Sequence, residues 1–155
     1  MLCLLSLGAE MAEKLNSLAR VVVVDDEASL VSLFSQHLAR SFEVRAFSSP
    51  QEALGFLGRQ RADLLVTDLV MPGMNGLELI ARAKDLHPDL LAIMVSGLDP
   101  NAWSSAADRQ ALALVDIFLS KPVSLRELEK TCGWALSGQQ RSPYFLNMAM
   151  LPNTP

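Results

Sequence analysis

Five polar positions stand out because each follows an apolar run. Asp25 and Asp26 follow Val21 to Val24, and Asp68 follows the run that opens LLVTDLVMPGMNG, residues 64–76. Ser96 follows Leu90 to Val95, and Lys121 comes just after Leu114 to Leu119. Carboxylates gathered at one place repel one another by on the order of a few kcal/mol at a separation of several ångströms, so three of them call for a cation. Hard oxygen ligands that leave room for water and a phosphate oxygen suit Mg²⁺ better than Ca²⁺ or Zn²⁺. A lysine ammonium can pair either with a carboxylate or with a phosphoryl oxygen, and a serine hydroxyl can donate to the same oxygens. Metal, ammonium and hydroxyl together offset the charge on a transferring phosphoryl group, and a carboxylate can be the nucleophile that receives it.

The elements between these residues must bring them together. Val21 to Val24 are β-branched and read as a strand. Leu30, Val31, Phe34 and Leu38 then recur at helical spacing, and Phe42, Val44 and Ala46 alternate with Glu43 and Arg45 in a strand whose polar residues suggest a sheet edge. Ser49, Pro50 and Glu52 form a capping box with proline at the first helical position, ahead of Ala53, Leu54 and Leu57. The run ending at Asp68 is a strand buried on both faces, followed by turn formers; Asn75 and Gly76 are expected to take unusual dihedrals before the next helix. Leu77, Ile80, Ala81 and Lys84 line one side of that helix, which His87 and Pro88 stop. Leu90 to Val95 is a fourth strand. Asp99 and Pro100 open a fourth helix reaching about Gln110, Leu114 to Leu119 form a fifth strand, and Ser124 with Glu127 caps a last helix carrying Leu125, Leu128, Cys132 and Leu136. Five β-α repeats predict an α/β domain with a doubly wound, parallel, five-stranded sheet of flavodoxin-like type. The carboxyl ends of its strands then share one rim, which collects Asp25, Asp26, Asp68, Ser96 and Lys121.

Composition narrows the function. The 155 residues fit one domain with tails, and 50% apolar residues suit a compact core. A net charge of −4, a pI near 5.1 and the lack of any basic block argue against direct nucleic-acid binding. Cys3 and Cys132 lack metal-ligand spacing and read as reduced thiols of a cytoplasmic protein. The opening MLCLLSLGAE is too short to span a bilayer and has no basic start, so no membrane attachment is expected, and Met11 is a candidate start. His37 and His87 are expected on the surface, away from the acidic rim. The expected division is a lead over 1–18, a domain over 19–138 and a tail over 139–155.

From about Arg20 to Ser137 the chain resembles a bacterial two-component response-regulator receiver domain. The resemblance is carried by Asp25 and Asp26 after a valine strand, Asp68 followed by MPGMNG, Ser96 followed by Gly97, and Lys121 followed by Pro122. It implies that Asp68 is the phosphoacceptor of a phosphohistidine donor, a sensor histidine kinase or a histidine phosphotransfer protein. It implies Mg²⁺ held by Asp26 and Asp68, by Asp25 through water and by the Val70 carbonyl, with Ser96 and Lys121 holding the phosphoryl oxygens. Phe118 matches the family's switch aromatic, coupled to Ser96, and the Lys121–Pro122 bond is often cis. Such a domain is a signalling phosphoprotein and no enzyme in the usual sense, catalysing only its own phosphotransfer and dephosphorylation.

The chain departs from the family in three places: Leu114 and Val115 replace a usual Gly-Ala pair, Phe118 lacks a tyrosine hydroxyl, and Val70 and Leu98 stand where polar side chains are common. Two other aspartate or phosphate chemistries fit less well. A flavodoxin-like binder needs a phosphate cradle where Asp25 and Asp26 stand, and a haloacid-dehalogenase-type phosphatase needs a second aspartate where Val70 stands. The alternative within the family is a degenerate receiver that works as a phosphorylation-independent interaction module. Output is expected through a protein surface and a downstream protein target, with the apolar tail from Tyr144 to Leu151 either covering that surface or joining two copies in a homodimer.

Overall fold

A computed structural model describes residues 18–98 and 105–138. Along these residues strands and helices alternate: β1 (Arg20–Val24), α1 (Ala28–Leu38), β2 (Glu43–Phe47), α2 (Pro50–Leu57), β3 (Leu64–Thr67), α3 (Gly76–Leu86), β4 (Leu91–Ser96), α4 (Ala106–Leu112), β5 (Ile117–Ser120) and α5 (Leu125–Leu136). The strands form one five-stranded sheet in the order β2-β1-β3-β4-β5, and every pairing is parallel. This is the doubly wound α/β architecture that the alternation predicts.

The strand side chains divide between two core layers with the period of two that a pleated strand imposes. Val22 and Val24 of β1, Leu65 of β3, Met94 of β4 and Phe118 of β5 belong to one layer, with Ala53 and Leu57 of α2 and Leu77, Ile80 and Ala83 of α3. Val21, Val23, Leu64, Val66, Ile93 and Ile117 belong to the other, with Phe34 and Leu38 of α1 and Leu128 and Cys132 of α5. Both faces of the sheet are therefore covered, which is why its inner strands carry unbroken apolar runs. β2 is the polar edge strand, half-buried or exposed along its length.

Helix starts follow the capping signals. Ser49, Asn75 and Ser124 each accept a hydrogen bond from the backbone N–H three residues on, at Glu52, Glu78 and Glu127. α1 begins differently, with Glu27 at the N-cap and no side-chain cap.

Several elements depart from expectation for identifiable reasons. β5 starts at Ile117, because Leu114 and Val115 are drawn into the turn that ends α4, where their N–H groups bond to Ala111 O and Leu112 O at 3.0 Å. In α3 the buried residues are Gly76, Leu77, Leu79, Ile80 and Ala83; Ala81 is only half-buried, one position off the inward stripe. Gly76 has no positive φ, and the loop residue with one is Gly73, at 81°. Gly76 is needed for closeness: a Cβ there would collide with the Asp68 carbonyl oxygen and lie 3.0 Å from Leu69 Cα. His37 and His87 are half-buried, and each makes a tertiary contact. His37 Nε2 lies 2.8 Å from Glu129 Oε2 of α5, and His87 Nε2 lies 2.7 Å from Leu57 O. The proposed opening of the fourth helix at Asp99 and Pro100, Cys3, and the tail from 139 onward lie outside the described residues.

Candidate functional site

Strand order places the acidic residues. The sheet is built outward in both directions from β1, so the crevice between the carboxyl ends of β1 and β3 is its topological switch point, the usual ligand position of such sheets. Val24 is in register with Thr67, and the Asp68 N–H donates to Val24 O at 3.1 Å. Asp25 and Asp68, the next residues on each strand, therefore leave the sheet side by side. One carboxylate oxygen from each of Asp25, Asp26 and Asp68 lies within 4.8 Å of the other two.

The two strand-end aspartates are anchored alike. Asp25 Oδ1 accepts from the Glu27 N–H at 2.9 Å, and Asp68 Oδ1 accepts from the Leu69 N–H at 2.7 Å. Their Oδ2 atoms both face Lys121, whose Nζ is 3.3 Å from each. Each carboxylate thus spends one oxygen on holding its own orientation and turns the other toward a shared cation. Asp25 is 3% exposed, and Asp26 stands in solvent. Burial pushes the Asp25 carboxyl above its ordinary range, against the Glu27 N–H and the Lys121 charge, which favour ionisation; the Asp68 charge adds to the rise. Burial by itself would lower the Lys121 ammonium, but Asp25 and Asp68 outweigh it and hold Lys121 above its usual value.

Lys121 reaches this position from β5. Its N–H donates to Ser96 O at 2.9 Å, extending the β4–β5 ladder past the Ser96 and Ser120 pair, and its peptide bond to Pro122 is cis. Ser96 is 1% exposed, and its Oγ accepts from the Leu98 N–H at 3.2 Å. Phe118 is buried in the core layer on the α3 side. Val70 and Leu98 are 59% and 48% exposed, apolar side chains on the two loops that follow Asp68 and Ser96. Five of the residues read from sequence thus meet at one rim: Asp25, Asp26, Asp68 and Lys121 as a charged cluster, and Ser96 through its backbone. A cleft of about 430 Å³ lined by Arg61, Asp63, His87 and Leu136 shares no residue with this rim.

Other contributors escaped the sequence reading. Thr67 Oγ1 donates to Asp68 O at 2.8 Å, and the Gly76 N–H donates to Leu69 O at 2.8 Å, so the backbone around Asp68 is held from β3 and from the start of α3. Lys84 of α3 pairs with Asp116, just ahead of β5, at 2.7 Å. Gly76 was foreshadowed as a glycine in the right place for a different reason, and Lys84 as part of one side of its helix but without its partner.

The donor set fits a hard divalent cation. Three carboxylates against one ammonium leave a formal charge of −2 when all are ionised, and no sulfur or imidazole ligand is in the group. Cys132, the free cysteine among the described residues, is fully buried far along α5, its thiol pushed up to about 12 by burial.

Residues 21–132 match the family described as the response regulator receiver domain. The chain belongs to that family. It is 35% identical over 123 residues to the DNA-binding transcriptional regulator NtrC of Azospirillum brasilense, an alignment covering 78% of this chain and 25% of that protein. The receiver therefore spans about a quarter of the length of that relative. Among solved structures it is similar to a CheY-like response regulator receiver domain from Methanospirillum hungatei, with a TM-score of 0.70 and 28% identity over 79% of this chain and 97% of the other. A response regulator from Burkholderia pseudomallei, solved with a phosphorylated aspartic acid and a calcium ion, gives a TM-score of 0.65 at 26% identity, covering 85% of this chain and 74% of that one. The chain is a receiver of two-component signalling, and no helix among its described residues is long and apolar enough to cross a membrane.

Proposed function

We propose that this receiver accepts a phosphoryl group on Asp68 from a phosphohistidine donor, with Mg²⁺ held at Asp25, Asp26 and Asp68, and that it thereby switches a protein-interaction surface. The observation that carries the reading is the sharing of one ammonium by two strand-end carboxylates inside a three-carboxylate cluster. A site for a cation and a phosphoryl group requires such excess negative charge with a shared ammonium beside it. The phosphorylated aspartic acid in the Burkholderia relative supports the same chemistry.

In the proposed reaction an Asp68 carboxylate oxygen forms a bond to phosphorus, and the bond from phosphorus to the donor imidazole nitrogen breaks. The imidazole leaves with the bonding electron pair and takes up a proton. Bound Mg²⁺ supplies charge neutralisation and a template for the phosphoryl oxygens. Asp68, Asp26 and the Val70 carbonyl would be its direct protein ligands, with Asp25 acting through water. Lys121 pairs with a phosphoryl oxygen in place of a carboxylate, and the Ser96 hydroxyl, which accepts from the Leu98 N–H, turns its own O–H to donate to the phosphoryl group. Phe118, beneath this rim in the core, is the proposed reporter of the Ser96 movement, and its packing alone sets its two states because it has no hydroxyl.

The domain over 19–138 carries this activity, with 1–18 and 139–155 flanking it. Its partners are a histidine kinase or phosphotransfer protein on one side and a protein target on the other, in the cytoplasm. Intact mass after incubation with acetyl phosphate tests the proposal. We expect one added phosphoryl group in Mg²⁺, none in a chelator, and none for Asp68→Asn. Phosphoryl gain by Asp68→Asn at the wild-type rate refutes the assignment. Failure of the wild type to bind Mg²⁺ in a titration leaves the interaction module without phosphorylation as the surviving function.

A further inference from the structure

We infer that Asp116, clamped by Lys84, fixes the register of β5 against β4 and so positions Lys121 in the acidic cluster. Among the described residues β5 is an edge strand of four residues with one neighbour, yet it delivers both Lys121 and the buried Phe118. Its sequence does not choose a register by itself. Leu114 to Leu119 is apolar throughout except for Asp116, so a shift of two residues keeps side chains on their faces, placing Val115 where Ile117 sits and Ile117 where Leu119 sits. Such a shift moves Lys121 by about 6.6 Å along the strand, out of reach of both carboxylates.

Asp116 resists that shift with three bonds. Its N–H donates to Ala92 O at 2.9 Å, and its Oδ2 accepts from the Ala92 N–H at 2.8 Å and from Lys84 Nζ at 2.7 Å. Backbone and side chain of one residue thus grip both polar groups of Ala92, while Lys84 ties the same oxygen to α3. Lys84 and Asp116 are 13% and 15% exposed, so the pair is shielded enough that moving Asp116 into the seat of Phe118, among apolar residues, breaks the pair and costs both charges their partner. At the far end of the strand the Lys121 N–H bonds to Ser96 O. Asp116 acts through β5 and touches no reacting atom, so it is a positioning residue.

The inference rests on the proposed function only for its rate measurement. Backbone amide exchange across residues 117–121, Mg²⁺ affinity, and phosphoryl gain from acetyl phosphate are measured in Asp116→Ala, Asp116→Asn, Lys84→Met and Lys84→Arg. We expect Asp116→Ala to speed exchange in 117–121 by about ten-fold, the equivalent of one net hydrogen bond, while β1 and β3 keep their protection. Mg²⁺ affinity should hold, and phosphoryl gain should fall by about 100-fold, as misplacement by an ångström or more can cause. Lys84→Arg, which keeps the ion pair, should leave exchange and phosphoryl gain near wild type, and Lys84→Met should move both in the direction of Asp116→Ala. If Asp116→Ala fails to fold, Asp116→Asn, which keeps an acceptor for Ala92 and loses the ion pair, carries the test with a smaller effect in the same direction. Unchanged exchange at 117–121, or exchange raised equally in every strand, overturns the inference. A wild type that never takes a phosphoryl group overturns the function instead, and the exchange result still decides the register.

Discussion

Asp26→Ala should make the metal-free protein more stable and the Mg²⁺-loaded protein less stable than wild type. Asp26 is exposed, so its removal costs little packing, and its carboxylate lies within 4.8 Å of two others. At an effective dielectric between about 40 and 80, which allows for the exposure of Asp26, each such pair repels by about 1 to 2 kcal/mol at 4.8 Å. Lys121 offsets part of this, which leaves a net gain on the order of 1 to 2 kcal/mol when Asp26 is removed. For a domain of this size that raises the melting temperature in a chelator by about 4 to 8 °C.

Mg²⁺ reverses the order. At a concentration 100 times the wild-type Kd, the wild type gains about 2.7 kcal/mol from binding. Outer-shell partners of a metal cost about 10- to 100-fold in affinity when removed, so a direct ligand should cost at least about 100-fold. The variant then gains only about 0.4 kcal/mol at the same concentration, less than the wild type by more than the repulsion it shed. Melting both proteins in a chelator and in Mg²⁺ reads both halves. An unchanged melting temperature in the chelator refutes the repulsion argument, and an equal Mg²⁺-induced rise refutes Asp26 as a ligand.

Three other outcomes follow from particular contacts. Gly76→Ala should destabilise the fold by about 1 to 3 kcal/mol and disturb Asp68, because the new Cβ meets the Asp68 carbonyl; denaturation and the Mg²⁺ titration check this, and wild-type values in both would remove the close-approach argument. Exchanging Val70 or Leu98 for a polar residue should shorten the lifetime of the proposed acyl phosphate, since these exposed apolar side chains flank the site and offer no partner to an attacking water; equal half-lives across the series would sink the idea. Ser41 and His37 hydrogen bonds hold the Glu129 carboxyl below its ordinary 4.5. A lowered folded-state value means stability that is present above about 4.5 and lost as pH falls through the folded value, so Glu129→Gln should flatten the acid limb of a stability profile and leave neutral stability dependent on the hydrogen bonds alone.

How much of this could be read from the chain depends on the distance over which each residue's fate is decided. Asp25, Asp68 and Lys121 were legible because a strand buried on both faces announces itself by its apolar run, and parallel order then sends every strand end to the same rim. The caps at Ser49 and Ser124 are local, three residues long, and fell where expected, whereas Asn75, expected to take an unusual dihedral, is an extended residue that caps α3. β5 was misplaced at its start because Leu114 and Val115 are as apolar as the strand they precede, and the residue that ends the turn, Asp116, is recognised by Lys84, 32 positions back. His37 and Glu129 are 92 positions apart, and nothing near either residue signals that α1 and α5 lie together on one face of the sheet. Gly76 shows a subtler failure: a glycine after a turn suggests a special dihedral, whereas here the constraint is the approach of a helix start to the Asp68 carbonyl, a tertiary fact.

The arrangement of β5 bears on how a charge at Asp68 becomes a signal. Lys121 bridges Asp25 and Asp68 from the carboxyl end of β5, while Asp116 is gripped by Ala92 and Lys84 at the amino end. Between them Phe118 faces the layer that also holds Met71 and Met74 from the loop after Asp68. If a phosphoryl group on Asp68 draws Lys121 away from the carboxylates, the pull acts on one end of a short edge strand whose other end is pinned. A register shift is then closed to it. What stays open is a change at the free end, in the Ser96 to Leu98 turn and in the packing of Phe118, where the bonds are single and the side chains are apolar. Because β5 has no strand beyond it among the described residues, that change meets no further sheet there and is spent on the surface of β5 and its flanking helices, where the proposed protein target would read it.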